Sequence, residues 1–238
     1  MYGPMLPSTS MRDIECNLES VQEQIVAAAR RAGREPDEIT LLAVSKRIDI
    51  SRIEAALALG AHALGESRVQ EANDKIPEVT GDAEWHFIGP LQSNKAMLAA
   101  RLFDAIHSVR KASSVSRLSA SATAADRSVR VYVQIDQSTK SLIETQVAEV
   151  TAICRQVHEA NGLKLQGLMT MAPYAPNPEA SRPYFANLRR LRNEIMASNT
   201  EFGSIGLSMG MSGDFEVAIE EGATIVRVGT AIFGKRSP

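Results

Sequence analysis

A single lysine at the end of a short apolar run is the clearest chemical feature of the chain. Residues 39–46 read ITLLAVSK, the pattern of a buried β-strand that carries Lys46 to its carboxyl end. An ordinary lysine, with a pKa of about 10.4, is protonated at neutral pH and cannot attack a carbonyl carbon. Partial burial lowers that pKa and frees the amine as a nucleophile. The pattern is therefore typical either of a carbonyl-capturing lysine or of a solvated lysine just beyond a strand.

Two segments rich in glycine and hydroxyl groups lie near the end of the sequence and could bind an anion. Residues 207–214 read LSMGMSGD, and residues 227–234 read RVGTAIFG. Small residues leave backbone N–H groups accessible, Gly229 permits close backbone approach, and Thr230 adds a hydroxyl. Each segment alone could be an ordinary helix cap. Together they predict a cup for a phosphate monoester.

Arg227 lies at the start of the second segment and shares the strand parity of Ile225 and Gly229. If Gly229 borders a ligand, Arg227 should face the interior on the same side. A buried arginine requires a partner, and a structural salt bridge is one explanation. The alternative is a guanidinium that donates to an aromatic ring nitrogen and keeps that nitrogen unprotonated. Such a contact would suit a pyridine cofactor that is held more than it is used for carbanion chemistry.

Polar groups also follow two earlier strands. Residues 65–71 read GESRVQE, and residues 85–95, which include His86 and Asn94, read WHFIGPLQSNK. His86 belongs with two other histidines, His62 and His107, that fall on or beside consecutive strands. The sequence has no His-x-His pair, so hydrogen-bonded core histidines are favoured over a metal site, and no metal is predicted.

An alternation of short apolar runs and longer amphipathic runs must position these groups. A leading helix is predicted over 13–32. Eight strands follow, at 39–45, 61–64, 85–88, 103–107, 129–135, 163–168, 205–208 and 224–228. The intervening helices are predicted at 50–59, 67–76, 92–101, 110–122, 142–160, 178–198 and 214–221.

Eight strands separated by helices predict an α/β protein with a parallel sheet closed into a single (β/α)8 TIM barrel, with an extra N-terminal helix. The barrel would occupy residues 10–238, with residues 1–9 as a flexible tail. An open doubly wound sheet is the alternative. It would usually carry a glycine-rich turn after its first strand, where this chain reads SKRID. In a barrel, the two anion-binding segments would follow strands seven and eight, a common place for a phosphate site.

Composition narrows the possible partners. The net charge is −2, with 23% charged and 44% hydrophobic residues, so neither nucleic acid nor a membrane surface is a predicted partner. No apolar stretch approaches the ~20 residues that span a bilayer, and the first residues lack the pattern of a secretory signal. We therefore expect a cytoplasmic protein. Nothing long and apolar is left over for an obligate interface, which favours a monomer.

Six motifs in order resemble the pyridoxal phosphate homeostasis protein family, the YggS/PROSC group. They are AVSK at 43–46, GESRVQE at 65–71, WHFIGPLQSNK at 85–95, GLMTM at 167–171, SMGMSGD at 208–214 and RVGTAIFG at 227–234. The resemblance implies a fold-type III barrel for pyridoxal 5′-phosphate (PLP), like the N-terminal domain of alanine racemase. The chain departs from the family pattern at Ser67, where an asparagine is usual, and in the loop at 136–142.

The same resemblance implies roles for individual residues. Lys46 would form a Schiff base with PLP, and Arg227 would contact the pyridine nitrogen. The other residues expected at the cofactor are Ser208, Ser212, Gly229 and Thr230 at the phosphate, and Met209, Met211, His86 and Asn94 elsewhere in the site.

Three functions are compatible with these residues. The resemblance favours a non-catalytic role in PLP homeostasis, in which the protein exchanges PLP with the cell's pool and transiently with apo forms of PLP-dependent enzymes. A fold-type III amino-acid racemase is the alternative, but related racemases take a second acid or base from an additional β-domain, which this sequence does not show before Pro238. A Schiff-base aldolase without cofactor would explain Lys46 and the phosphate cup but not Arg227.

Overall fold

Eight parallel strands hydrogen-bond to one another in chain order, and the eighth pairs with the first. The computed structural model describes residues 11–136 and 143–234, without the side chains of residues 143–146. The strands are β1 Thr40–Val44, β2 Ala63–Glu66, β3 Glu84–Phe87, β4 Ala105–Val109, β5 Val129–Gln134, β6 Leu163–Met169, β7 Gly206–Met211 and β8 Ile225–Val228. The closed (β/α)8 barrel predicted from the alternation is therefore confirmed.

Helices connect the strands and surround the barrel. They are α1 Met11–Arg31, α2 Ile50–Ala58, α3 Val69–Lys75, α4 Ala96–Leu102, α5 Ala112–Ala124, α6 Ile143–Glu159, α7 Arg182–Ser198, α8 Phe215–Glu220 and α9 Thr230–Phe233. Every predicted helix is present, with small shifts at the ends. The helices predicted from residues 92 and 178 begin later because single 3₁₀ turns, Ser93–Lys95 and Pro178–Ser181, precede them. The four-residue helix α9 was not predicted.

The predicted tail at 1–9 and the loop residues Lys140–Leu142 lie outside the described part of the chain. Within that part, no helix is both long and apolar enough to cross a bilayer.

The leading helix α1 covers the outside of the barrel where β8 meets β1. Its buried face is apolar at helical spacing, and it packs against α8, α9 and α2. Asn17 donates to the carbonyl oxygen of Ile232 in α9 at 3.0 Å, and Arg31 pairs with Glu216 and Glu220 at 2.8 Å each. These contacts hold α1 against the elements that follow β8.

Most of the hydrophobic core lies between the strands and the helices. The barrel interior contains a smaller apolar cluster of Leu42, Ala63, Tyr132, Met169 and Ile225. Branched apolar side chains usually fill the whole interior of such a barrel. In this barrel, buried polar side chains share the interior with the apolar cluster. The interior beneath the mouth of the barrel is therefore partly polar.

Candidate functional site

A cavity of about 310 Å³ opens at the carboxyl ends of the strands. This volume lies at the lower end of the range for small-molecule sites. Six of the ten residues predicted to bind the cofactor line the cavity: Lys46, Met211, Ser212, Arg227, Gly229 and Thr230. The closed barrel brings together residues that are far apart in the sequence, because β1, β7 and β8 are neighbours around it.

Lys46 is half-buried and lies in a tight turn directly after β1. The N–H of Ser45 donates to the carbonyl oxygen of Gly65 at 3.0 Å, and Ile48 N–H donates back to the carbonyl oxygen of Ser45 at 3.0 Å. Arg47 takes a left-handed conformation with φ of 57°. A non-glycine residue keeps this conformation only when surrounding contacts enforce it. The turn that carries Lys46 must therefore be held from outside.

A buried cluster around Lys75 holds this turn. The Nζ of Lys75 donates to the carbonyl oxygen of Ser45 at 2.9 Å, to Oε1 of Glu66 at 2.8 Å and to Oε1 of Glu71 at 2.9 Å. Ser45 Oγ also donates to Glu66 Oε1 at 2.8 Å, and the N–H of Arg47 donates to Glu71. We call Ser45, Glu66, Glu71 and Lys75 the lysine-turn cluster. It fixes the backbone on both sides of Lys46.

The two carboxylates of the cluster differ in their electrostatics. Burial raises the pKa of Glu66, and the hydrogen bond and charge of Lys75 only partly oppose that effect. Glu71 is also desolvated, but the bonds from Arg47 N–H and Lys75 outweigh burial and lower its pKa. The sequence identified residues 65–71 as a polar segment after a strand but gave no role to Lys75. The available signal was the i,i+4 pair of Glu71 and Lys75 on α3.

The two predicted anion-binding segments lie side by side. Ser212 Oγ accepts hydrogen bonds from Gly229 N–H at 3.2 Å and from Ala231 N–H at 3.4 Å. A Cβ at Gly229 would lie 3.3 Å from the Cβ of Val44, so the end of β8 packs closely on β1. This contact brings Thr230 to the same cavity as Lys46.

Gly210, the penultimate residue of β7, permits the sharp path of the chain into the following segment. Its φ is +90°, and a Cβ there would lie 2.6 Å from the Cβ of Ala218. Beyond it, Met211 N–H donates to Oδ1 of Asp214 at 2.7 Å, and Asp214 N–H donates to the carbonyl oxygen of Met211 at 3.0 Å. The resulting turn presents Ser212 and Gly213 to the cavity.

Arg227 is almost fully buried, at 4% exposure, and faces the cavity. Its Nη1 donates to Ser208 Oγ at 2.8 Å, and its Nη2 donates to the carbonyl oxygen of Thr170 at 2.9 Å. No carboxylate of the described residues forms an ion pair with it, so the salt-bridge interpretation was wrong. Burial lowers the pKa of Arg227 to about 10, with the charge of Asp214 opposing the shift. The guanidinium therefore stays charged at neutral pH.

Four predicted site residues do not line the cavity. Ser208 and His86 are buried inside the barrel beneath it, with their polar groups bonded to protein. Met209 has the opposite strand parity and packs in the core between the strands and the helices. Asn94 is exposed in the 3₁₀ turn before α4. Spacing along the chain identified the segments but not the depth of each side chain.

A chain of hydrogen-bonded side chains runs through the barrel interior below Arg227. Ser208 Oγ lies 2.9 Å from His107 Nδ1, His107 Nε2 lies 2.9 Å from His86 Nδ1, and His86 Nε2 contacts Glu84. The His107 ring stacks on Tyr132, with 4.2 Å between ring centres. Burial, assisted by the positive charges of Arg227 and Arg130, lowers the pKa of His107 well below its usual value. His107 is therefore neutral at physiological pH.

The prediction of hydrogen-bonded core histidines is confirmed for His86 and His107. It was wrong for His62, which is exposed at the amino ends of the strands. In residues 11–136 and 143–234, no three His, Cys, Asp or Glu side chains are arranged to hold a metal ion.

The contact between His86 and Glu84, at the lower end of the hydrogen-bonded side chains, predicts that the free energy of unfolding falls in acid. The hydrogen bond from His86 lowers the pKa of Glu84 from 4.5 to about 2, with burial opposing and Arg130 assisting. Because the folded-state pKa is depressed, the stabilisation is present above about pH 4.5 and is lost as the pH falls towards about 2. We expect the free energy of unfolding to change less with pH between those limits in Glu84→Gln than in the parent protein. Urea denaturation at several pH values measures this change. Glu19→Gln, at an exposed position on α1, is the control. An unchanged slope in Glu84→Gln would contradict the assignment.

The chain matches the family model for the alanine racemase N-terminal domain over residues 16–237. It is 44% identical over 235 residues to the pyridoxal phosphate homeostasis protein of Escherichia coli K12, covering 95% of this chain and 98% of that protein. It is 38% identical to the protein of the same name from Vibrio cholerae, with coverage of 95% and 98%.

Solved structures agree with these matches. PipY of Synechococcus elongatus with PLP bound superimposes with a TM-score of 0.81 at 34% identity, covering 93% of this chain and all of that chain. Alanine racemase from Clostridium difficile 630 has a TM-score of 0.71 at 14% identity, covering 99% of this chain and 61% of the racemase, a likeness of fold alone. The chain therefore belongs to the pyridoxal phosphate homeostasis protein family, built on the alanine racemase N-terminal domain fold.

Proposed function

We propose that this protein holds PLP as a Schiff base on Lys46 and exchanges it with the cell's pool. The observation that carries the proposal is one cavity lined by a half-buried lysine, a buried arginine without a carboxylate partner among the described residues, and two joined glycine- and hydroxyl-containing segments. PLP offers an aldehyde, a pyridine ring and a phosphate, and each finds a suitable group in this cavity.

Each part of the cofactor has its own residues in the proposal. Lys46 supplies the amine that captures the aldehyde. Ser212, Gly229 and Thr230 supply hydroxyl and N–H donors for the phosphate. Arg227 donates to the pyridine nitrogen and, being charged, disfavours protonation of that nitrogen. When bound, PLP acts as an electron sink, and an unprotonated ring weakens that property. The site therefore favours storage of the cofactor over turnover of amino acids.

A non-catalytic role has further support from the ionisable groups of the cavity. A racemase requires an acid or base held on the cofactor face opposite the lysine. Asp214 is bonded to Ser181 and to the N–H of Met211, and Tyr174 is 92% exposed. Neither group is held as a poised acid or base. Transfer of PLP to apo forms of PLP-dependent enzymes is the corresponding partner proposal.

The test is an absorbance spectrum of the protein after incubation with PLP and removal of free cofactor, recorded before and after addition of alanine. We expect a stable visible band from a protein-bound Schiff base and no interconversion of alanine enantiomers. A protein that retains no PLP would overturn the proposal. Sustained racemisation by the isolated chain would replace it with the racemase function.

Replacing Arg227 tests the proposed ring contact. A hydrogen bond from a charged group is worth about 1.5–3 kcal/mol, so we expect Arg227→Leu to weaken PLP retention by about 10- to 100-fold and to shift the absorbance maximum. Arg227→Lys keeps a charge but loses the fork of donors. Its PLP retention should therefore lie between that of the parent protein and that of Arg227→Leu. Arg12→Leu, on the exposed face of α1, is the control. Unchanged retention and spectrum in Arg227→Leu would show that the guanidinium does not contact the ring.

A further inference from the structure

We infer that His107 is a positioning residue that acts on Arg227 through Ser208, as the central member of a one-directional hydrogen-bond relay. The relay consists of Ser208, His107, His86 and Glu84, on strands β7, β4, β3 and β3. It runs from the floor of the cavity to the amino ends of the strands, where Glu84 is 41% exposed. The inference rests on the proposed function only where it concerns PLP.

The direction of each hydrogen bond follows from its two ends. At the upper end, Arg227 can only donate, so Ser208 Oγ accepts from Nη1. In the described part of the chain, the other partner of that oxygen is His107 Nδ1 at 2.9 Å. If Nδ1 carried a proton, the buried hydroxyl hydrogen of Ser208 would have no acceptor, which is costly. The hydroxyl therefore donates to Nδ1.

The lower end accepts the same direction. The lowered pKa of Glu84 keeps its carboxylate ionised, so it accepts from His86 Nε2–H. His107, with Nδ1 accepting from Ser208, carries its proton on Nε2 and donates it to His86 Nδ1 at 2.9 Å. Both rings are then neutral and protonated on Nε2, and Ser208 Oγ and all four ring nitrogens have partners. The direction set at Ser208 and the accepting carboxylate of Glu84 thus agree on one arrangement of protons.

This arrangement gives Arg227 a fixed acceptor in place of a carboxylate. With its proton committed to His107, Ser208 presents an oxygen lone pair to Nη1, while Thr170 holds Nη2. The nearest charge along the relay is Glu84, two histidines away. The relay orients the guanidinium towards the cavity, and no carboxylate of the described residues accepts a hydrogen bond from it. Loss of His107 should therefore loosen Arg227 although His107 does not itself line the cavity.

Two variants of His107 separate positioning from packing. His107→Phe keeps a ring to stack on Tyr132 but leaves the Ser208 hydroxyl without an acceptor. His107→Gln replaces the ring with an amide that still offers one acceptor and one donor. We expect PLP to dissociate about tenfold faster from His107→Phe, with a shifted absorbance maximum, and His107→Gln to recover most of both properties. His62→Phe, at the exposed histidine, is the matched control and should behave as the parent protein.

A second measurement needs no cofactor. Long-range ¹⁵N–¹H NMR spectra of the histidine rings in the unmodified protein distinguish the two neutral tautomers from the charged form. We expect His86 and His107 both to be neutral with the proton on Nε2 at about pH 7. A His107 ring that is protonated on Nδ1 or charged would overturn the relay, whatever happens to PLP.

These experiments distinguish an error in the relay from an error in the proposed function. If the parent protein binds no PLP, the function is wrong, and the tautomers alone decide the relay. If it binds PLP and His107→Phe folds but matches the parent in dissociation and spectrum, positioning by His107 is wrong. If His107→Phe fails to fold, the same comparison is made with His107→Gln against His107→Leu, together with the tautomers.

Discussion

Replacing Lys46 by arginine is expected to abolish covalent PLP binding while leaving the barrel folded. The guanidinium of arginine stays protonated at all accessible pH values and cannot form a Schiff base, whereas its size and charge preserve the electrostatics of the turn. Lys46 lies at the cavity, and the lysine-turn cluster holds the backbone on both sides of it. The visible absorbance band should therefore disappear completely.

The measurement is the spectrum after incubation with PLP and desalting, together with circular dichroism to confirm the fold. Lys111→Arg, at an exposed position before α5, is the matched control and should retain the full band. A normal band in Lys46→Arg would mean that another amine captures the cofactor.

The second large effect is expected from Lys75→Met, which should lower the unfolding free energy by about 3–5 kcal/mol. Lys75 has a side-chain exposure of 8% and pairs with Glu66, which is fully buried. Removal of the ammonium would leave that carboxylate in the interior with only the Ser45 hydroxyl as a donor to Oε1. It would also release the carbonyl oxygen of Ser45 and remove one of the two donors to Glu71, so PLP retention should fall as well.

The double variant Glu66→Gln/Lys75→Met is the diagnostic comparison, since it removes both charges and should recover a large part of the lost stability. Urea denaturation of the single and double variants measures the difference, and Lys164→Met, at an exposed lysine of β6, is the control. A loss below about 1 kcal/mol in Lys75→Met would show that the pair is not a buried charge pair of this kind.

The sequence predicted the barrel because its strongest signals are local. Apolar runs of strand length alternate with amphipathic runs, and eight such runs without a glycine-rich nucleotide turn are typical of a closed parallel barrel. The same local patterns placed Lys46 at the end of β1 and the two anion-binding segments after β7 and β8. Closure of the barrel then brings these three places together.

The relay, the positions of Ser208 and His86 and the role of Lys75 could not be predicted in this way. They depend on how deep each side chain lies in the barrel and on the register between strands, which no single segment of sequence specifies. The relay joins residues on β3, β4 and β7, and its His107–Ser208 bond spans 101 positions in the sequence. Ser208 and His86 were predicted at the cofactor because they belong to the right segments, but they lie one layer below the mouth. Lys75 was missed because its three acceptors, after β1, at the end of β2 and on α3, come together only in the folded barrel.

The central claim is that Lys46 is the amine that holds PLP, and borohydride reduction tests it most directly. The protein loaded with PLP is reduced, digested and mapped by mass spectrometry, so that a Schiff base becomes a stable pyridoxyl group on the lysine that formed it. We predict stoichiometric labelling of Lys46 and of no other lysine. Labelling centred on a different lysine, or no labelling of a protein that retains PLP, would contradict the account.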